Sequence, residues 1–62
     1  MSDVVFESDW LEVTGFFLTE DTVLIKCSNG QEYVLPYNAC PVVGQRIKIQ
    51  FDYRSNPIEW RI

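Results

Sequence analysis

From Arg46 to Ile62 the chain alternates apolar and polar residues with few breaks. Ile47, Ile49, Phe51 and Tyr53 alternate with Arg46, Lys48, Gln50, Asp52 and Arg54. After Ser55-Asn56-Pro57, Ile58, Trp60 and Ile62 alternate with Glu59 and Arg61. A period of two puts the apolar side chains on one face of a strand and the charges on the other. Two such runs around a short polar turn predict an antiparallel hairpin. Its register predicts the cross-strand pairs Tyr53–Ile58, Phe51–Trp60 and Ile49–Ile62, with Asp52 facing Glu59 on the outside.

The upstream half carries matching signals. Trp10 to Leu18 reads as a strand, with Leu11, Val13, Gly15 and Phe17 on one face and Trp10, Glu12, Thr14, Phe16 and Leu18 on the other. Gly15 within it predicts a bulge or bend. Thr22–Cys27 and Gln31–Leu35 are two further strands around Ser28-Asn29-Gly30. Asn-Gly predicts a type I′ turn, which pairs Lys26 with Tyr33, Ile25 with Val34 and Leu24 with Leu35. That register leaves both hairpin faces apolar. Pro36 and Pro41 rule out a regular helix across the long connection that follows. Residues 1–8 read as an arm whose Val4-Val5-Phe6 patch can add to a sheet edge.

A chain of 62 residues allows one domain, residues 1–62, and a composition 47% hydrophobic and 15% aromatic can fill a core. The acidic N-terminal residues do not form a targeting signal, and no apolar run has the length of a membrane span. A cytoplasmic protein is expected. Cys27 and Cys40 are few for a secreted scaffold; a single bridge between them or a buried Cys27 thiol are the two alternatives. Folding is expected to need neither metal nor disulfide.

The pattern predicts an all-β fold, a small five-stranded antiparallel barrel. Val43-Gly44-Gln45-Arg46-Ile47-Lys48-Ile49-Gln50-Phe51-Asp52 resembles the entry to the fourth strand of OB-fold domains of the ribosomal-protein RNA-binding type. Val13-Thr14-Gly15 and the strand and Gly-containing turn after it are similar to that type's first hairpin. The resemblance implies an OB-like barrel and covers about half of the chain; a Src-homology-three-like barrel shares such patterns. The chain departs from the family in its pI of about 4.4.

No histidine is present, so histidine acid–base chemistry and ligation are excluded. Two cysteines without partners do not make a zinc site. No phosphate loop, nucleophile elbow or dinucleotide fingerprint occurs. The chain is therefore expected to be non-enzymatic, with no cofactor. The Asp52–Glu59 pair admits a divalent-ion site or a socket for a partner's arginine, against simple relief by Arg54, Arg61 and solvent.

Charge is divided along the chain. Residues 1–25 hold six acids and no Lys or Arg, within a net charge of −4. An acidic, aromatic first strand predicts protein-partner binding through Trp10, Glu12, Phe16, Glu20 and Asp21. The expected function is a small acidic regulator or inhibitor that docks on a larger protein assembly, itself a monomer or weak homo-oligomer. The alternative is an OB-type binder of single-stranded nucleic acid using Lys26, Tyr33, Arg46, Lys48 and Arg61.

Overall fold

A long strand pair sets the architecture of the computed structural model, which describes residues 4–62. Six strands follow in order: β1 (Phe6–Glu7), β2 (Leu11–Leu18), β3 (Thr22–Cys27), β4 (Glu32–Pro36), β5 (Arg46–Phe51) and β6 (Pro57–Arg61). All pairings are antiparallel, and no helix occurs among the described residues. Phe6 pairs with Phe51 and Glu7 with Gln50, while Leu11 pairs with Ile47 and Glu12 with Arg46. β1 and β2 therefore lie end to end along one edge of β5. Ser8 spans the break, its N–H donating to the Ile49 carbonyl at 2.8 Å and its Oγ accepting the Ile49 N–H at 2.9 Å. β6 takes the other edge of β5. The arm thus docks as its Val4-Val5-Phe6 patch predicts, with residues 1–3 outside the described residues.

β2, β3 and β4 form a meander, and β5 returns through residues 37–45 to lie beside β2. That order is a Greek key. The sheet has six strands rather than five and does not close, because no ladder joins β4 to β6. Leu11, Val13, Val23, Ile25, Cys27, Leu35, Ile47 and Ile49 form the core, with Tyr33, Phe51 and Trp60 packed against it. Pro41, from the long connection, is fully buried as well. Cys27 is buried and Cys40 exposed, and both are free thiols. Of the two alternatives for the cysteines, the structure has the buried thiol.

Three expected registers shift by local devices. In β2 the ladder passes from Val13↔Cys27 to Gly15↔Lys26, so Thr14 is the extra residue of a bulge. Beyond it Phe16 faces Ile25 and Phe17 faces Leu24. The bulge stands where Gly15 predicts one, but it reverses the faces after it. Phe16 and Leu18 take the register of the buried Ile25 and Val23 but remain 36% and 42% exposed at the sheet's margin, and Phe17 turns outward with 65% of its surface exposed.

The central hairpin also differs from the expected type I′ turn. Gly30 N–H donates to the Cys27 carbonyl at 3.0 Å, and Cys27 N–H to the Gln31 carbonyl at 3.0 Å. Only Gly30 takes a positive φ, +82°. This is a three-residue loop, a type I turn closed by a left-handed residue. It moves the register by one, to Lys26↔Glu32, Ile25↔Tyr33, Leu24↔Val34 and Val23↔Leu35. Tyr33 and Leu35 thereby join the core side, and Val34 turns outward.

The terminal hairpin repeats the device. Ser55 N–H donates to the Asp52 carbonyl at 3.0 Å, Asp52 N–H to the Asn56 carbonyl at 3.1 Å, and Ser55 holds a φ of 64°. A shift between Gln50↔Glu59 and Phe51↔Pro57 then leaves Ile58 as an extra residue. Ile49, not Phe51, pairs with Trp60, and the expected Phe51–Trp60, Tyr53–Ile58 and Ile49–Ile62 pairs do not form. Tyr53 and Ile62 are exposed instead. The two loops make opposite predictions for glycine. Left-handed backbone costs a non-glycine residue about 1 kcal/mol or more. Gly30→Ala should destabilise the fold by about 1 kcal/mol and Ser55→Gly should stabilise it by up to about 1 kcal/mol. Urea midpoints of the two variants check this, and a change of the same sign in both would contradict the loop assignment.

Candidate functional site

No pocket forms among the described residues, and no group of three or more potential metal ligands occurs among them. No helix is long and apolar enough to cross a membrane. Burial pushes the Cys27 thiol above its ordinary range, which keeps it protonated. What the sheet offers chemically lies on its outer surface, in two places.

The first lies where β1, β2, β5 and β6 meet. Leu11↔Ile47 and Lys48↔Arg61 set the rows, and outward-facing residues of adjacent strands come together. Lys48 Nζ lies 5.2 Å from the centre of the Trp10 ring and Arg61 Cζ 5.5 Å from it. A cation over an exposed indole contributes about 0.5–1 kcal/mol. Arg61 also grips Glu7, through Nε to Oε2 at 2.6 Å and Nη2 to Oε1 at 3.1 Å. Gln50 Nε2 donates to the same carboxylate at 2.8 Å. Two charge-assisted bonds from one guanidinium make a planar, directional clasp that ties β1 to β6 across β5.

The clasp predicts a pH response. The Arg61 hydrogen bonds, then that of Gln50, hold the Glu7 carboxyl at about 2 against an ordinary 4.5. A lowered carboxyl contributes stability that is complete above the unfolded value and lost as pH falls through the folded one. The amide protons of residues 6–8 should therefore lose protection between about pH 4.5 and pH 2. Glu7→Gln should lower that protection at neutral pH and abolish its dependence on pH in this window. An unchanged acid profile in Glu7→Gln would contradict the clasp.

The second place is the outer face of β2, β3 and β4. Phe17 pairs with Leu24 and Leu24 with Val34, so the three stand in one row across three strands. Phe17 and Val34 are 65% and 55% exposed. Beside the row lie Gly15, Lys26 and Glu32, with Lys26 Nζ 3.9 Å from Glu32 Oε2. At the other end Thr22 pairs with Pro36, and the exposed Glu20-Asp21 turn follows. Thr19 closes that turn, its N–H donating to the Thr22 carbonyl at 2.9 Å.

The residues expected to bind a protein partner are not gathered in one patch. Trp10 sits with Lys48 and Arg61, and Glu12 opposite Arg46. Phe16 lies at the sheet's margin in register with Ile25, while Glu20 and Asp21 occupy the far turn. The expected basic set is split as well. Arg46, Lys48 and Arg61 share the outer side of β5 and β6, and Lys26 sits across the molecule's other outer face beside Glu32. Tyr33 points inward, its ring edge-on to Phe51 at 6.0 Å, and its hydroxyl accepts from Asn29 Nδ2 at 3.1 Å. Trp10 takes the place expected of Tyr33 as the aromatic among the cations. Asp52 and Glu59 are not opposite each other, since Gln50 faces Glu59. Asp52 Oδ1 instead accepts the N–H groups of Arg54 at 2.9 Å and Asn56 at 3.0 Å, so it serves the turn. The row Phe17–Leu24–Val34 escaped the sequence reading because it needs both the bulge and the shifted hairpin; the Gly15 signal alone pointed toward it.

No family model, no curated protein and no solved structure matches the chain.

Proposed function

We propose that this chain is a non-enzymatic interaction module, a small acidic regulator or inhibitor that docks on a larger protein through the outer face of β2, β3 and β4. The observation that carries the reading is the aligned row of Phe17, Leu24 and Val34, more than half exposed at both ends. Burying an aliphatic or aromatic side chain of this size is worth ~1.5–3 kcal/mol. Glu20, Asp21, Glu32 and Lys26 give the row a charged rim, which orients an encounter more than it strengthens the complex. For the fold, an OB-like barrel is the finer reading. The Greek-key return of β5 to β2 supports it over a simple meander, and β4 and β6 are the two strands that closure would join.

A second reading rests on a different observation, the two cations over Trp10. An aromatic among basic residues suits a stacked base and its phosphate. Glu7 and Glu12 oppose it, because they lie against Arg61 and Arg46. One comparison separates the readings. Phe17→Ser should abolish retention of a larger protein partner at physiological salt while Lys48→Ala keeps it. Salt-sensitive binding of a labelled oligothymidylate, lost in Trp10→Ala and Lys48→Ala, would instead establish the nucleic-acid reading.

A further inference from the structure

We propose that the free edge of β2, residues 14–18, takes an added strand: an extended, basic-ended segment of the larger protein pairs with it antiparallel. The inference rests on the docking role given to the adjoining face and names the kind of partner that fits it. In an antiparallel ladder each residue turns its N–H and C=O to the same side, and the side alternates along the strand. The Thr19 N–H donates to the Thr22 carbonyl at 2.9 Å. Thr19 therefore turns its backbone groups to β3, as by alternation do Phe17, opposite Leu24, and Gly15, opposite Lys26. Phe16 and Leu18 turn theirs the other way.

On that side β5 pairs only with Leu11 and Glu12. The last bonds are at Val13, whose N–H donates to the Gln45 carbonyl at 2.9 Å and whose carbonyl accepts the Gly44 N–H at 2.8 Å. Among the described residues no backbone bond reaches Phe16 or Leu18 from that side. Native sheets blunt an open edge with charge or proline. Phe16-Phe17-Leu18 has neither, and all three side chains are exposed. The other edges are less open, because β4 and β6 lie beside each other and β1 has two residues.

Unpaired N–H and C=O groups on alternate residues fit another main chain rather than a side chain or a small solute. An antiparallel strand places one residue opposite Phe17, and the residues on either side of it exchange N–H···O bonds with Phe16 and Leu18. The residue opposite Phe17 falls at a non-bonded pair, where side chains stand closest. An apolar side chain there extends the row of Phe17, Leu24 and Val34 by a fourth member, which joins strand addition to the docking face. The segment's N-terminal end lies toward Glu20 and Asp21, which are exposed and in no ion pair among the described residues. A lysine or arginine three residues before the one opposite Phe17 comes alongside Glu20.

The hexapeptide acetyl-Lys-Thr-Val-Tyr-Val-Thr-amide, whose tyrosine takes the place opposite Phe17, tests this on the whole protein by amide chemical shifts and hydrogen exchange. In a titration to about 5 mM, which brackets the ~1 mM Kd of so short a strand, the Phe16 and Leu18 amides should shift and exchange about threefold more slowly. Methylating the two valine nitrogens, which donate to β2, should raise the Kd at least about tenfold. Methylating the tyrosine nitrogen, which points away, should change it less than about threefold. Leu18→Pro removes one edge donor and no bond to β3, so it should match the loss of about tenfold with an unchanged circular dichroism spectrum, while Leu18→Val keeps binding. Glu20→Lys should weaken binding about threefold. No shift at Phe16 and Leu18 by about 5 mM overturns the inference, as does equal binding of the two methylated peptides. Protection of these amides that grows with protein concentration alone assigns the edge to a second copy and overturns it too. The docking reading falls separately: it fails if Phe17→Ser leaves retention of the larger partner unchanged, whatever the peptides do.

Discussion

Replacing Ile49 by alanine should lower the unfolding free energy by ~2–5 kcal/mol, a large part of all the stability this chain has. Domains carry about 0.05–0.15 kcal/mol per residue, or roughly 3–9 kcal/mol at this length. Ile49 is fully buried and belongs to a core of few side chains. It sits on β5, which is bonded along both edges, with Trp60 as its partner on β6 and Ser8 bonded to its backbone on the other side. Truncation removes apolar contacts and leaves a cavity that neighbours on both sides cannot close without breaking those bonds. Ile49→Val, which loses one methylene, should cost only ~0.5–1.5 kcal/mol. Urea denaturation of the pair measures both. A loss below about 1 kcal/mol for alanine would remove Ile49 from the centre of the core.

Phe51→Ala should cost ~2–4 kcal/mol and release the arm as well. The Phe51 ring stacks on Phe6 at 4.8 Å and 12°, and meets the edge of Tyr33 at 6.0 Å and 72°. One side chain thus links β1, β5 and β4, three strands far apart in the chain. At ~4–8 °C per kcal/mol the melting temperature should fall by ~10–30 °C. The amide of Val5, which donates to the Phe51 carbonyl at 2.8 Å, should lose its exchange protection ahead of β3. Continued protection of β1 in the alanine variant would show that the backbone and the Glu7–Arg61 clasp hold the arm without the ring.

The all-β class, the strand positions and the docking arm were legible in period-two alternation, because that signal is local. Registers were less so. Asn29-Gly30 marks a hairpin, but a type I turn with Gly30 left-handed and a type I′ turn fit the same two residues and differ by one position. That single step exchanges Val34 for Tyr33 and Leu35 at the core. Ser55 gave no hint of its left-handed backbone, and the extra Ile58 has no marker in a run that alternates well. The surface near Trp10 was further out of reach. Its position depends on Leu11 pairing with Ile47, a contact between residues 36 apart that no local pattern encodes. Charge along the chain therefore placed Trp10 with the acids, whereas charge in space places it with Lys48 and Arg61.

Because β5 supplies a partner to β1, β2 and β6, the chain has little to gain from its first half alone. The β2–β4 meander can pair locally, but Leu11 and Val13 find no cover until residues 46–51 arrive. Loop closure over this span comes before the burial that rewards it, so folding should be slow for so small a domain. During synthesis the nascent β2–β4 sheet would present both its outer row and its unfinished inner face to the cell. A ribosome making this protein would thus hold an adhesive half-sheet until β5 is in place.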